Sequence, residues 1–193
     1  MSNLTQSEAL FEHFCRLNSL EWQRVIAGPT SSPDYRLRFD DCFVAFEIKQ
    51  LDNPAGFSPF GVSTRQLGQH IRSKINEARQ QLKAASQARE PGVLLIYNAA
   101  DPLQMFGTEE HDFLCAMYGE LTVTISPSHA SDFYHGKNAK LRHNANTYFS
   151  GVGLIRRGGN QPPQVTIYEN AYASTPLPFD ALPECIRVLR VNV

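Results

Sequence analysis

Three residues have the types and spacing to hold a divalent cation beside a water molecule: Asp34, Glu47 and Lys49. Tyr35, Leu37 and Phe39 alternate with Arg36 and Arg38, and Cys42, Val44, Phe46 and Ile48 alternate with Phe43, Ala45, Glu47 and Lys49. Alternation with a period of two over two successive runs predicts a pair of half-buried strands. The turn signal between them is Asp40-Asp41, which pairs residues whose numbers sum to 81 and sets Asp34 opposite Glu47. Asp-Asp is not the favoured two-residue turn, which prefers Gly or Asn at positive φ; a four-residue loop from Phe39 to Cys42 keeps the same register. Directly opposed residues have Cβ atoms about 5 Å apart on one face, and Lys49, two residues beyond Glu47, shares that face. A slip of one residue would separate Asp34 from the other two.

Two carboxylates this close stay ionised together when a cation lies between them. Oxygen ligands suit a hard ion, Mg²⁺ or Mn²⁺, better than zinc. Such an ion polarises a phosphate and lowers the pKa of a bound water, and an ammonium beside it orients that water or stabilises developing negative charge. The competing reading is a salt-bridge cluster on the solvated side of a hairpin.

The elements around this hairpin can be read from capping and periodicity. Thr5-x-x-Glu8 is a capping box for a helix over about Gln6 to Leu17, with Leu10, Phe11, Phe14 and Leu17 as its apolar stripe. Glu8 and Glu12 stack on its flank. Glu21 to Ile26 reads as a short strand stopped by Gly28-Pro29, and Pro33 marks the entry to the next strand. A Pro-, Gly- and Asn-rich loop from Leu51 to Ser63, with Phe57 and Phe60, precedes a long helix over about Thr64 to Ala88. That helix carries Arg65, Arg72, Lys74, Arg79 and Lys83, the best candidates for phosphate contact. Pro91-Gly92 stops it, and Val93 to Tyr97 is a continuous apolar run expected to be a central strand covered on both sides. Further on, Glu109 to Met117 reads as a helix. Leu121 to Ile125, Tyr148 to Ile155, Val165 to Tyr168 and Ile186 to Val193 read as strands, the last at an edge. The segment Pro127 to Asn146 is polar and carries basic residues.

The sequence Pro33-Asp34 followed by Glu47-Ile48-Lys49 resembles the PD-(D/E)XK nuclease superfamily, the restriction-endonuclease-like fold. Gln50 after the lysine, a Glu-bearing helix before the hairpin, and a helix and hydrophobic strand after it extend the resemblance over about residues 11–98. Segments 33–35, 47–50 and 168–173 also resemble a group of bacterial proteins of that superfamily. The resemblance implies an α/β fold with an αβββαβ core, a mixed central sheet flanked by helices, and additional C-terminal strands. It implies a Mg²⁺- or Mn²⁺-dependent nuclease acting on DNA phosphodiesters. Asp34, Glu47 and the Ile48 carbonyl would hold the metal, and Lys49 would assist the water. Glu12 would act through water, with Glu8 not separable from it by periodicity, and Gln50 would give polar support. Arg65, Arg72 and Lys74 would contact nucleic acid. Many relatives of this fold cut two strands as dimers, which allows a homodimer. The alternative is a non-catalytic nucleic-acid- or protein-binding module on the same fold.

Composition sets outer bounds. A chain of 193 residues, 42% of them hydrophobic, supports one domain over 1–193, with a core at about 5–100 and an elaboration from about 101. The net charge of −1 places any polyanion binding on a local patch rather than a basic tail. No apolar run reaches about 18 residues, so no membrane span is expected. With no secretory signal and four scattered cysteines, Cys15, Cys42, Cys115 and Cys185, a reducing cytoplasm is expected. The six histidines are not at helical metal-ligand spacing, which disfavours zinc. No phosphate-binding Gly-rich loop followed by Lys-Ser/Thr is present, against an NTPase, and no Gly-x-Ser-x-Gly, against an α/β-hydrolase.

Overall fold

The computed structural model describes residues 4–26, 28, 31–52, 65–101, 104, 106–159 and 161–191. Much of the expected Gly28-Pro29 turn, most of the Leu51 to Ser63 loop with Phe57 and Phe60, and Thr64 lie outside them.

Helix α1 (Gln6–Leu17) starts where its capping box dictates: the Thr5 hydroxyl accepts from the Glu8 N–H, and the Glu8 carboxylate accepts from the Thr5 N–H at 2.7 Å. Its buried stripe is Leu10, Phe11, Phe14 and Cys15, while Leu17 is exposed. The chain then forms β1 (Glu21–Arg24), β2 (Tyr35–Phe39) and β3 (Cys42–Leu51), each antiparallel to the last. The β2–β3 register pairs Tyr35 with Phe46 and Phe39 with Cys42, as the alternation predicts. Asp40 takes φ of +50° in the turn; an Asp tolerates this better than most residues, and its carbonyl accepts from Arg38 Nε at 3.0 Å.

The long helix expected over Thr64 to Ala88 is two helices, α2 (Gln69–Glu77) and α3 (Arg79–Gln87), with Ala78 between them at ψ of −1°. The apolar spacing continues across the break, so the sequence carries no stop signal. The halves have different partners: α2 packs on α4 (Glu110–Tyr118), whereas α3 lies on β3 and on β4 (Gly92–Asn98). Leu67, within the span expected to be helical, lies ahead of α2 and is exposed.

Strand β4 pairs parallel with β3 and with β9 (Gly151–Arg156), so it is central. Between α4 and β9 the chain makes four two-residue strands, β5 (Leu121–Thr122), β6 (Ile125–Ser126), β7 (His129–Ala130) and β8 (Tyr134–His135), paired as β5–β8 and β6–β7. The single strand expected over Leu121 to Ile125 is therefore split, because this segment folds back on itself. Strand β10 (Gln164–Glu169) is antiparallel to β9, and β11 (Ile186–Leu189) lies parallel to β10 at the sheet edge. Among the described residues the result is one mixed seven-stranded sheet, β1-β2-β3-β4-β9-β10-β11, with four α-helices.

The sheet is covered on both faces. Phe11, Phe14, Tyr35, Phe46, Ile48, Val93 and Leu95 form the core on the α1 side. Leu51, Ile71, Ile75, Leu82, Leu94, Ile96 and Phe113 form the core on the α2–α4 side. Successive residues of β4 enter opposite cores, which explains its unbroken apolar run.

Candidate active site at the β2–β3 end

Alternation along the strands sends Asp34, Glu47 and Lys49 to the face that carries α2–α4, since their neighbours Tyr35, Phe46 and Ile48 enter the α1 core. Lys49 Nζ lies 2.7 Å from Glu47 Oε1. Glu47 is 1% exposed, and its Oε2 is buried with no hydrogen-bond partner among the described residues. Burial, and then the nearby Asp34 charge, push the Glu47 carboxyl up to about 7. Burial raises Asp34 as well, more than its contact with the Ile48 N–H and the Lys49 charge lower it. For Lys49, burial alone would lower the amine; the Glu47 and Asp34 charges outweigh it and hold Lys49 above its usual value.

The backbone contributes to the same place. The last β2–β3 pair is Tyr35 with Phe46. Asp34 Oδ2 accepts from the Ile48 N–H at 2.8 Å, so a side chain occupies the next position of the ladder. In this register the residue opposite Ile48 is Pro33, which has no N–H. Ala45 N–H bonds the Pro91 carbonyl, so odd-numbered β3 residues direct their backbone groups toward β4. Those of Ile48 therefore point toward β2, where Pro33 offers its carbonyl no ladder donor. Two carboxylates, one of them with an orphaned buried oxygen, and one carbonyl make an oxygen donor set that fits Mg²⁺ or Mn²⁺.

Other expected residues are placed differently. Glu12 is buried on the α1 face, where its Oε1 accepts from the Tyr35 hydroxyl at 3.0 Å and its other oxygen lies 3.8 Å from Arg16. It is not brought to Asp34 and Glu47, because its position on α1 directs it into the core beside Phe11. Glu8 caps α1 and pairs with Arg24 at 2.9 Å; its charge adds to the rise at Asp34. Gln50 points away from Glu47: its Oε1 accepts from the Ser7 N–H at 2.9 Å, and its amide donates to Asp52. It ties the start of α1 to the end of β3. Gln50, Leu51, Asp52, His70, Ser73 and Lys74 line a cavity of about 300 Å³ beside this end of β3.

The cations expected to meet phosphate are largely engaged. Arg65 bonds Asp112 at 2.5 Å and Glu109 at 3.1 Å. Lys74 pairs with Glu77 at 2.8 Å. Arg72 is buried and donates to the Leu67 and Cys115 carbonyls at 2.7 and 3.2 Å. A second donor group, which the sequence did not single out, has Glu109, His111 and Asp112 atoms within 4.8 Å of one another. Burial would raise Asp112, but its contacts with Glu109, Arg65 and the Gly68 N–H outweigh it and hold the carboxyl below its ordinary value. With the Arg65 guanidinium between Glu109 and Asp112, this group locks the residues before α2 onto α4.

Comparison of the chain with protein-family models, with curated proteins and with solved structures finds no match. No helix among the described residues is long and apolar enough to cross a membrane.

Proposed function

We propose that the protein is a metal-dependent nuclease with a restriction-endonuclease-like core, hydrolysing DNA phosphodiesters. The observation that carries this reading is the buried Glu47 carboxylate, which has one oxygen on Lys49 and the other without a hydrogen-bond partner among the described residues, and whose pKa is raised by burial beside Asp34. Leaving a buried carboxylate oxygen without a hydrogen-bond partner is costly unless it serves a site. The element order α1, β1, β2, β3, α2–α3, β4 supports the core assignment.

Asp34, Glu47 and the Ile48 carbonyl would hold a Mg²⁺ or Mn²⁺ ion. When bound, the ion supplies Lewis-acid polarisation of the phosphate and a more acidic water. Lys49, held in its charged form, donates to the attacking water or to a phosphoryl oxygen and does not act as a base. Glu12 has no part in the set, since its carboxylate is committed to Tyr35.

Purified protein incubated with plasmid and with single-stranded DNA, in Mg²⁺, Mn²⁺ or EDTA, tests this beside Lys49→Ala. Metal-dependent cutting that disappears in the variant is expected. Cutting that survives in Lys49→Ala and Asp34→Ala would remove the assignment. No cutting and no metal binding by calorimetry would leave a salt-bridged strand end on a binding module.

A further inference from the structure

Beyond the strand-end site, a polar cleft of about 490 Å³ opens between α2 and residues 138–142. Its walls include Arg72, Lys140 and Arg142 along with the amides of Gln69, Asn76 and Asn138. This lining has no aromatic or large apolar side chain, unlike the mostly apolar pockets that hold small organic ligands. Arg72 is 8% exposed, and its two carbonyl contacts use two of the five guanidinium N–H donors. Lys140 and Arg142 are in no ion pair among the described residues, in contrast to Arg24, Arg36, Arg65 and Lys74.

The wall that carries them is fixed although it is irregular. Lys140 N–H bonds the Ala116 carbonyl at 3.0 Å, Leu141 N–H the Met117 carbonyl at 2.8 Å, and the Asn146 amide donates to the Lys140 carbonyl. Of the acids close by, Glu120 is turned onto the Gln66 and Asn138 amides, where it holds the rim together, and Glu77 is engaged by Ser73 and Lys74. Ser73 lines both this cleft and the cavity bounded by Gln50 and Lys74. The two openings therefore adjoin across α2, on the sheet face that carries Glu47 and Lys49.

We infer that this cleft binds the phosphodiester backbone of a nucleic-acid strand, away from the bond that is cut. The inference rests on the nuclease reading for its substrate class, but its own basis is Lys140 and Arg142, outside any ion pair among the described residues, set with Arg72 and side-chain amides on a hydrogen-bonded wall. Backbone phosphates are recognised by Lys and Arg together with side-chain amides and carry no sequence information. Neutralising each phosphate releases counterions, so binding weakens as salt rises.

The test is fluorescence anisotropy with labelled single-stranded and duplex DNA of one sequence, in EDTA so that nothing is cut. The wild type, Lys140→Arg and the double variant Lys140→Ala/Arg142→Ala are compared over a salt series, with circular dichroism to confirm folding. The double variant is expected to bind at least one of the two DNAs about tenfold more weakly at low salt, with a shallower salt slope. Lys140→Arg should retain wild-type affinity. Unchanged affinity and slope in the double variant, or no DNA binding by the wild type, would overturn the inference. So would polyglutamate competing as well as DNA, since the cleft would then serve an acidic peptide. Binding that depends on the cleft, without cleavage in any metal, would remove the nuclease reading and leave this one standing.

Discussion

Glu47 makes the site sensitive to pH in a definite direction. Its carboxyl is raised from 4.5 to about 7 in the folded protein, and Asp34 is raised too. Folded protein therefore holds protons that the unfolded chain releases, so the stability contributed by these groups is full below about pH 4.5 and is lost as pH rises through about 7. At 1.36 kcal/mol per unit, Glu47 can account for about 3 kcal/mol of the difference between acid and alkaline conditions. Urea denaturation at pH 5 and pH 8 without divalent ions should show stability falling with pH, and Glu47→Gln should flatten that fall. An unchanged slope in Glu47→Gln would mean that the carboxyl is not held in this state. Added Mg²⁺ should stabilise more at pH 8 than at pH 5, because the ion competes with the proton. Glu12→Gln offers a contrast: it weakens the bond from Tyr35, lowers stability by about 1 kcal/mol, and should leave metal-dependent cleavage unchanged; a loss of cleavage would return Glu12 to the site. The β2–β3 register, which leaves the Asp34 charge close to Glu47, was legible in the sequence because alternation and a two-residue turn fix it locally. The partners of Glu12, Arg65 and Arg72 were not, because they come from distant positions such as Tyr35, Asp112 and Cys115.

At the level of elements, the helical layer over the site depends on the close approach of two backbones. Gly68 precedes α2 at φ of +70°, and a Cβ there would lie 2.7 Å from the Asp112 carbonyl oxygen and 2.8 Å from the Ala116 nitrogen. Both the conformation and the space exclude a side chain, so Gly68→Ala should cost about 2 kcal/mol in urea denaturation. A cost below about 0.5 kcal/mol would mean that α2 can move away from α4 freely. This contact also explains what the sequence hid. Ile71, Ile75, Ala78, Leu82 and Ala85 keep one spacing through Ala78, so periodicity predicts one helix. The division arises because α4 and the sheet are different surfaces, and α4 is brought there by tertiary packing alone. Helix α1 and strands β2, β3 and β4 were legible because each carries its own local signal: a capping box, alternation, or a bounded apolar run. The two-residue strands at 121–135 carry none, being too short for either period to show.

At the scale of the whole molecule, β3, β4 and β9 each contribute to both cores, so the two faces cannot melt separately without breaking the same strands. The sequence did not show that β9 would lie beside β4, or β11 beside β10, because parallel pairings between distant segments have no local signature. Yet that order is what makes the sheet one cooperative unit. Phe11 on the α1 side and Ile75 on the α2 side are each fully or almost fully buried, on opposite faces. Truncating either to alanine should cost about 2–5 kcal/mol and lower the melting temperature by about 10 °C for a chain of this size. Because the strands are shared, each variant should melt in one transition, with near- and far-ultraviolet circular dichroism changing together. A Phe11→Ala protein that lost α1 in a separate early step would show that the α1 layer is an independent unit. The Glu47–Lys49 pair would then persist after α1 had detached, and measuring metal binding between the two transitions would reveal it.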